Sequence, residues 1–204
     1  DERAMLVVVL LDLLAAGAGG YTVTEQATQP VFEGKATING RTTAGNTGGT
    51  ATTVTTLPSA ITAIPLAAGI DATANNFGEL LSVGLSGTVF ADLANDGAQQ
   101  LPNDLGLAGV TLDLTGTDDL GAAVSATTTT AADGNYSFTG LRPGTYTVTE
   151  PTQPAGTVNG ITTAGSTGGT ATPVATLPSV ISAIPLVTSG AFSTGNNFAE
   201  IPNN

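Results

Sequence analysis

The residues able to do chemistry are few in kind. The chain has no Cys and no His among its 204 residues, and Asp plus Glu number 16 against 4 Lys plus Arg. Nucleophile systems built on Cys-His or Ser-His-Asp are therefore excluded, as are thiolate or imidazole zinc sites, disulfides and His- or Cys-held haem. A bound metal must be held by oxygen, and oxygen-only ligation favours calcium or magnesium. Adjacent carboxylates such as Asp118-Asp119 could in principle do acid-base work. They sit in Thr-Gly-Thr-Asp-Asp-Leu-Gly, which reads as a turn between strands, so no enzyme is expected. The net charge of -12 repels nucleic acid and anionic membrane surfaces.

These groups have to be positioned by strands. Val110, Leu112 and Leu114 alternate with Thr111, Asp113 and Thr115; Tyr136 and Phe138 alternate with Asn135, Ser137 and Thr139; Tyr146 and Val148 alternate with Thr145, Thr147 and Thr149. Period-two alternation of this kind marks half-buried strands. Turns are expected at Asp133-Gly134-Asn135, at Arg142-Pro143-Gly144 and near Gly84, and no stretch after residue 20 carries a capped helical period. The last strands are expected at 179–186 and 196–200. Residues 151–173 read as a long, weakly patterned Gly/Thr-rich excursion.

Internal repetition organises the chain. Tyr21-Thr-Val-Thr-Glu25 recurs as Tyr146-Thr-Val-Thr-Glu150, Leu57-Pro58-Ser59 as Leu177-Pro178-Ser179, Ala63-Ile64-Pro65-Leu66 as Ala183-Ile184-Pro185-Leu186, and Asn75-Asn76-Phe77 as Asn196-Asn197-Phe198. Residues 84–204 then hold a whole repeat of β-sandwich size, and residues 21–83 hold only the second half of one. Residues 1–20 differ from both. Met5 to Ala16 is apolar apart from Asp12 and too short to span a bilayer as a helix, so no membrane span is expected; it reads as a buried strand, with a secretory-signal remnant as the alternative. A half-sandwich has an unpaired edge, which residues 1–20, the second repeat or another molecule must cover.

The blocks Ser86 to Gly97, Gly106 to Leu112, Asp133 to Phe138 and Leu141 to Glu150 resemble the Sdr-type B repeat domains of bacterial surface adhesins, related to collagen-adhesin (Cna) B-type modules. The resemblance implies an all-β chain of immunoglobulin-like or prealbumin-like β-sandwich repeats, secretion, and a place in a stalk, adhesin or surface polymer at the bacterial cell surface. It also implies a calcium loop. Sdr-type domains hold calcium in Asp-x-Asn/Asp-x-Asp-Gly, matched here by Asp92, Asp96 and Gly97, with the carbonyl of Ala98 and with Asn103 or Asp104 as further ligands. Ala94 stands where the middle ligand belongs, so the expected site is a degenerate one, and the plain alternative is a turn in which the Asp side chains cap backbone amides.

Cna-type relatives form a Lys to Asn or Asp isopeptide assisted by a Glu. Glu25 and Glu150 match that Glu, and Asn75, Asn76, Asn196 and Asn197 lie where the acceptor belongs. The amine is missing, because Lys35 is the only lysine and follows Glu25 in a loop; no internal isopeptide is expected, and Glu150 reads as the exposed end of its strand. The functional expectation is an extracellular structural repeat that assembles with copies of itself into a filament or sheath, with a spacer in a large adhesin as the alternative. A glycan-binding surface is disfavoured by 3 Tyr, 6 Phe and no Trp.

Overall fold

The computed structural model describes residues 20–174 and 176–203; the expected N-terminal apolar strand lies outside them. The chain divides into two compact units between Leu81 and Ser82, two residues before the boundary the repeat suggested. No residue of either unit is helical among those described. Thr, Val, Ile and Tyr dominate the strands, as β-branched and aromatic side chains suit a pleated, half-buried surface.

The first unit contains β1 (Tyr21–Thr24), β2 (Val31–Phe32), β3 (Lys35–Thr43), β4 (Thr50–Ala51), β5 (Ala60–Ile64) and β6 (Asn76–Leu81). They form two three-stranded sheets, ordered β1-β5-β4 and β2-β3-β6. Ile61 and Ile64 of β5 are its buried large side chains among the described residues.

The second unit contains β7 (Val83–Ala91), β8 (Thr111–Asp118), β9 (Ala123–Thr129), β10 (Asn135–Leu141), β11 (Gly144–Glu150), β12 (Thr157–Thr163), β13 (Thr170–Ala171), β14 (Ser179–Leu186), β15 (Phe192–Ser193) and β16 (Asn197–Pro202). One sheet runs β10-β7-β16-β12, with β15 also on β7; the other runs β13-β14-β11-β8-β9. Their inner faces meet in a single core: Leu85 and Val89 from β7, Leu112 and Leu114 from β8, Tyr136 and Phe138 from β10, Tyr146 and Val148 from β11, Ile181 and Ile184 from β14, and Phe198 from β16. This is the sandwich that the alternation predicts.

The repeat extends to the backbone. The β1–β5 and β11–β14 ladders both shift register between the Tyr and Val of the Tyr-Thr-Val motif, and β3–β6 and β12–β16 both shift after Asn39 and Asn159. Ala63 and Ala183 share a positive φ of 53°. The units differ at two edges: β16 is flanked by both β12 and β7, whereas among the described residues β6 pairs only with β3. In the second unit β11 has β14 on one side and β8 on the other, whereas among the described residues β1 has only β5.

Two expectations need correcting. Gly84 is no turn: it lies inside β7, where a Cβ would meet the Phe192 ring at 2.7 Å and the Phe138 carbonyl at 2.8 Å. The stretch 151–173 is not structureless, because β12 crosses it and pairs with β16. Asn159-Gly160 disguises that strand; Gly160 is required where the Ala199 carbonyl comes within 2.6 Å of a Cβ position.

Gly116 on β8 gives a direct check of the contact between the halves of the repeat. A Cβ there would stand 2.5 Å from both the Tyr146 ring and the Thr145 carbonyl. Gly116→Ala is expected to cost about 1–3 kcal/mol in urea denaturation. Thr115→Ala, on the exposed face beside it, should stay within about 0.5 kcal/mol of the parent.

Candidate functional site

The loop between β7 and β8 carries the expected calcium residues, and their carboxylates turn onto the loop itself. Asp104, 1% exposed, accepts the Leu93 amide at 3.1 Å through Oδ1 and the Gln100 amide at 2.8 Å through Oδ2. Asp92, fully buried, accepts the Gly97 amide at 2.8 Å. Asp96 accepts the Ala98 amide at 3.0 Å and the Gln100 side-chain amide at 2.7 Å. Asn103 is exposed, and its backbone amide donates to the Gln100 carbonyl at 2.9 Å. Only Asp92 Oδ1 is buried there without a donor.

A hard cation needs several convergent oxygens, and among the described residues no three acidic side chains converge on such a point. The residues present therefore do not fit calcium as a set. Ala94 supplies no ligand, and backbone amides neutralise the remaining carboxylates as Asx turns do.

Asp118-Asp119 is a turn, as its sequence suggests. Asp118 Oδ1 accepts the Leu120 and Ala122 amides at 2.9 and 2.8 Å, while Asp119 takes a two-pronged contact from Arg142 at 2.6 and 2.9 Å. That hydrogen bond holds the Asp119 carboxyl below its ordinary range.

The buried chemistry lies elsewhere. Glu150 ends β11 but is not exposed: it is 1% accessible, and Glu200 of β16 is fully buried. The correction has a geometric cause. Glu150 pairs with Ser179 on β14 in the middle of its sheet, and β16 belongs to the facing sheet, so the two carboxyls meet between the layers. Glu200 is the better solvated by protein groups. Its Oε2 accepts from Gln153 Nε2 and, at 3.4 Å, from Thr157 Oγ1. Ser179 spends its hydroxyl proton on Asn159 Oδ1 at 2.8 Å.

As two carboxylates, Glu150 and Glu200 would have nothing to exchange, and both Glu150 oxygens lack a conventional donor. Glu200 Oε1 is likewise buried without a donor, so three of the four carboxyl oxygens of the pair have no partner among the surrounding amides and hydroxyls. Burial first, then the charge of Glu200, pushes Glu150 up to about 9. Burial raises Glu200 as well, against the pull of Gln153, Glu150 and Thr157. Tyr136 is also pushed up, first by burial and then by Glu150.

The Cna-like positions are structural here. Asn196 is fully buried: its Oδ1 accepts the Gly165 amide at 3.0 Å and its Nδ2 donates to the Ser86 carbonyl at 3.1 Å. Asn197 accepts the Thr88 amide at 3.0 Å, and Asn75 accepts the Gly45 amide at 2.9 Å. Lys35 opens β3 and is exposed.

Comparison with known proteins follows from this architecture. Residues 83–190 match the family described as SdrD B-like domain. Colossin-A of Dictyostelium discoideum is 44% identical over 70 residues, a match that takes 34% of this chain and 1% of that protein. The chain thus spans a very small part of that relative. The crystal structure of the major plantain pollen allergen Pla l 1 aligns with a TM-score of 0.32 at 12% identity, covering 60% of this chain and 97% of that one; so loose a likeness carries no argument.

For the loop, Asp104→Ala should lower stability by about 1–3 kcal/mol, since it leaves the Leu93 and Gln100 amides without their acceptor. Millimolar calcium should move the melting temperature of the intact chain by less than about 1 °C, because binding stabilises only when the ligand exceeds its dissociation constant. Differential scanning calorimetry with and without a chelator reads both.

Proposed function

Because the chain belongs to the SdrD B-like domain family, a family of surface-protein repeat modules, we propose that it is an extracellular structural repeat whose copies assemble into a filament or sheath by strand addition. The observation that carries this reading is the edge of β1. Its counterpart β11 is paired on both sides, while β1 has one neighbour among the described residues. An edge strand with free backbone groups is a template for another strand.

The chain also holds a suitable donor. β9 is the last strand of the five-stranded sheet, rich in Thr and without a Lys or Pro to block approach. Joining β1 of one copy to β9 of the next uses two different surfaces, and such a contact propagates instead of closing.

A spacer role in a larger surface protein is the second reading, favoured by a relative in which the matched segment is 1% of the length. The two separate in solution. Assembly predicts ordered fibres in electron micrographs of the concentrated chain, shortened by a peptide of residues 109–118, which copies the strand that flanks β11. A monodisperse monomer at millimolar concentration contradicts assembly and leaves the spacer.

A further inference from the structure

Two carboxyl groups buried against each other must deal with their charge, and the second unit has no base to spare. Arg142 is the only Lys or Arg in residues 82–204, and it is held by Asp119 at 2.6 Å. The groups around Glu150 and Glu200 are neutral or acidic. From β10, Tyr136 donates its hydroxyl proton to the Asn196 carbonyl at 2.7 Å. From the segment after β11 and from β12 come Gln153, Thr157 and Asn159; from β14 comes Ser179. On the neighbouring strands, Asp92 follows β7 with one oxygen on the Gly97 amide, and Asp113 of β8 accepts Thr127 at 2.7 Å. None of these supplies a positive charge.

We propose that the Glu150–Glu200 pair is a proton-held clasp between the two sheets, which makes this repeat an acid-tightened module that loosens at one end as the pH rises. The shared proton joins β11 of one sheet to β16 of the other. Once it is lost, two buried carboxylates face each other with no Lys or Arg of the second unit beside them, and like charges so placed favour separation.

The polar framework around the pair is laid down twice. In the second unit Glu150 pairs with Ser179, Ser179 donates to Asn159, and Asn159 pairs with Glu200. In the first unit the Glu25 amide donates to the Ser59 carbonyl at 2.8 Å, Ser59 donates to Asn39 at 2.9 Å, and Asn39 pairs with Glu79. Thr37 bonds the Pro30 carbonyl at 2.5 Å as Thr157 bonds Pro154 at 2.9 Å. Glu25 is buried, with neither oxygen meeting a donor.

The sign follows from which state holds the proton. Glu150 titrates at about 9 in the folded chain, against an ordinary 4.5. Between those values the folded state binds a proton that the unfolded state has released, so stability is fully present below about 4.5 and is lost as the pH climbs toward 9. One linked proton changes the unfolding equilibrium by up to about tenfold per pH unit.

The test is thermal melting of the intact chain from pH 5 to pH 9, alongside Glu150→Gln and Asp113→Asn. The wild type should melt lower at pH 9 than at pH 5. Glu150→Gln keeps a permanent donor toward Glu200, so its melting temperature should vary much less with pH and should exceed that of the wild type at pH 9. Asp113→Asn removes the same charge from the outer face and should keep the wild-type slope, which separates the clasp from general repulsion among the acidic residues. A flat or rising wild-type profile, or equal slopes for the two variants, overturns the proposal. Should Glu150→Gln fail to fold, a carbon-13 titration of the Glu150 carboxyl in the wild type decides: a midpoint above pH 7 supports the clasp, and one below pH 7 overturns it.

Discussion

The pairing of β8 with β11 and of β7 with β16 is the constraint on which the complete repeat rests. Each ladder joins an early strand to a late one, and between them they bring the two halves of the repeat into one sandwich. Tyr146 illustrates the dependence. Its ring is fully buried only because Gly116 on β8 leaves room for it, and its hydroxyl returns to the Arg142 carbonyl at 2.6 Å. The Tyr-Thr-Val motif of β1 carries the same bulge but has no described strand in the place of β8, and Tyr21 is only half-buried. The same sequence pattern is thus flanked by β8 in the second unit and, among the described residues, only by β5 in the first.

Within the complete unit the division of labour is physical. Apolar side chains from both sheets fill the middle, and hydroxyl and amide groups fasten the loops to the strand ends. Asn196 ties the loop at Gly165 to Ser86, and Asp104 ties Leu93 to Gln100 within the loop that follows β7. A chain with so few basic residues makes bonds from amides and hydroxyls carry what ion pairs carry elsewhere. Asp119–Arg142 is an ion pair of the second unit.

Much of this was legible in the residues, and the exceptions have reasons. Strands such as β8, β10 and β11 alternate cleanly because one face of each is core and the other is solvent. β12 was hidden because an Asn-Gly pair in its centre imitates a turn, although Gly160 serves a close backbone approach. The burial of Glu150 was missed because its partner comes from the facing sheet, 50 residues further along the chain, and no local pattern marks such a meeting. A signal existed in the repeat itself: Glu25, Asn39, Ser59 and Glu79 return as Glu150, Asn159, Ser179 and Glu200, and polar residues retained in that way have a place in the fold. The residues expected to hold calcium lie in the loop between β7 and β8, where backbone amides donate to their carboxylates.

The central claim is that β1 is an edge completed by another copy. Hydrogen exchange of the Tyr21–Thr24 amides across a wide range of protein concentrations tests it most directly. The account predicts that protection of these amides rises with concentration while that of β11 stays constant, since β11 is already paired on both sides. Protection of β1 that is independent of concentration would contradict it and show that the edge is covered from within the chain or left bare.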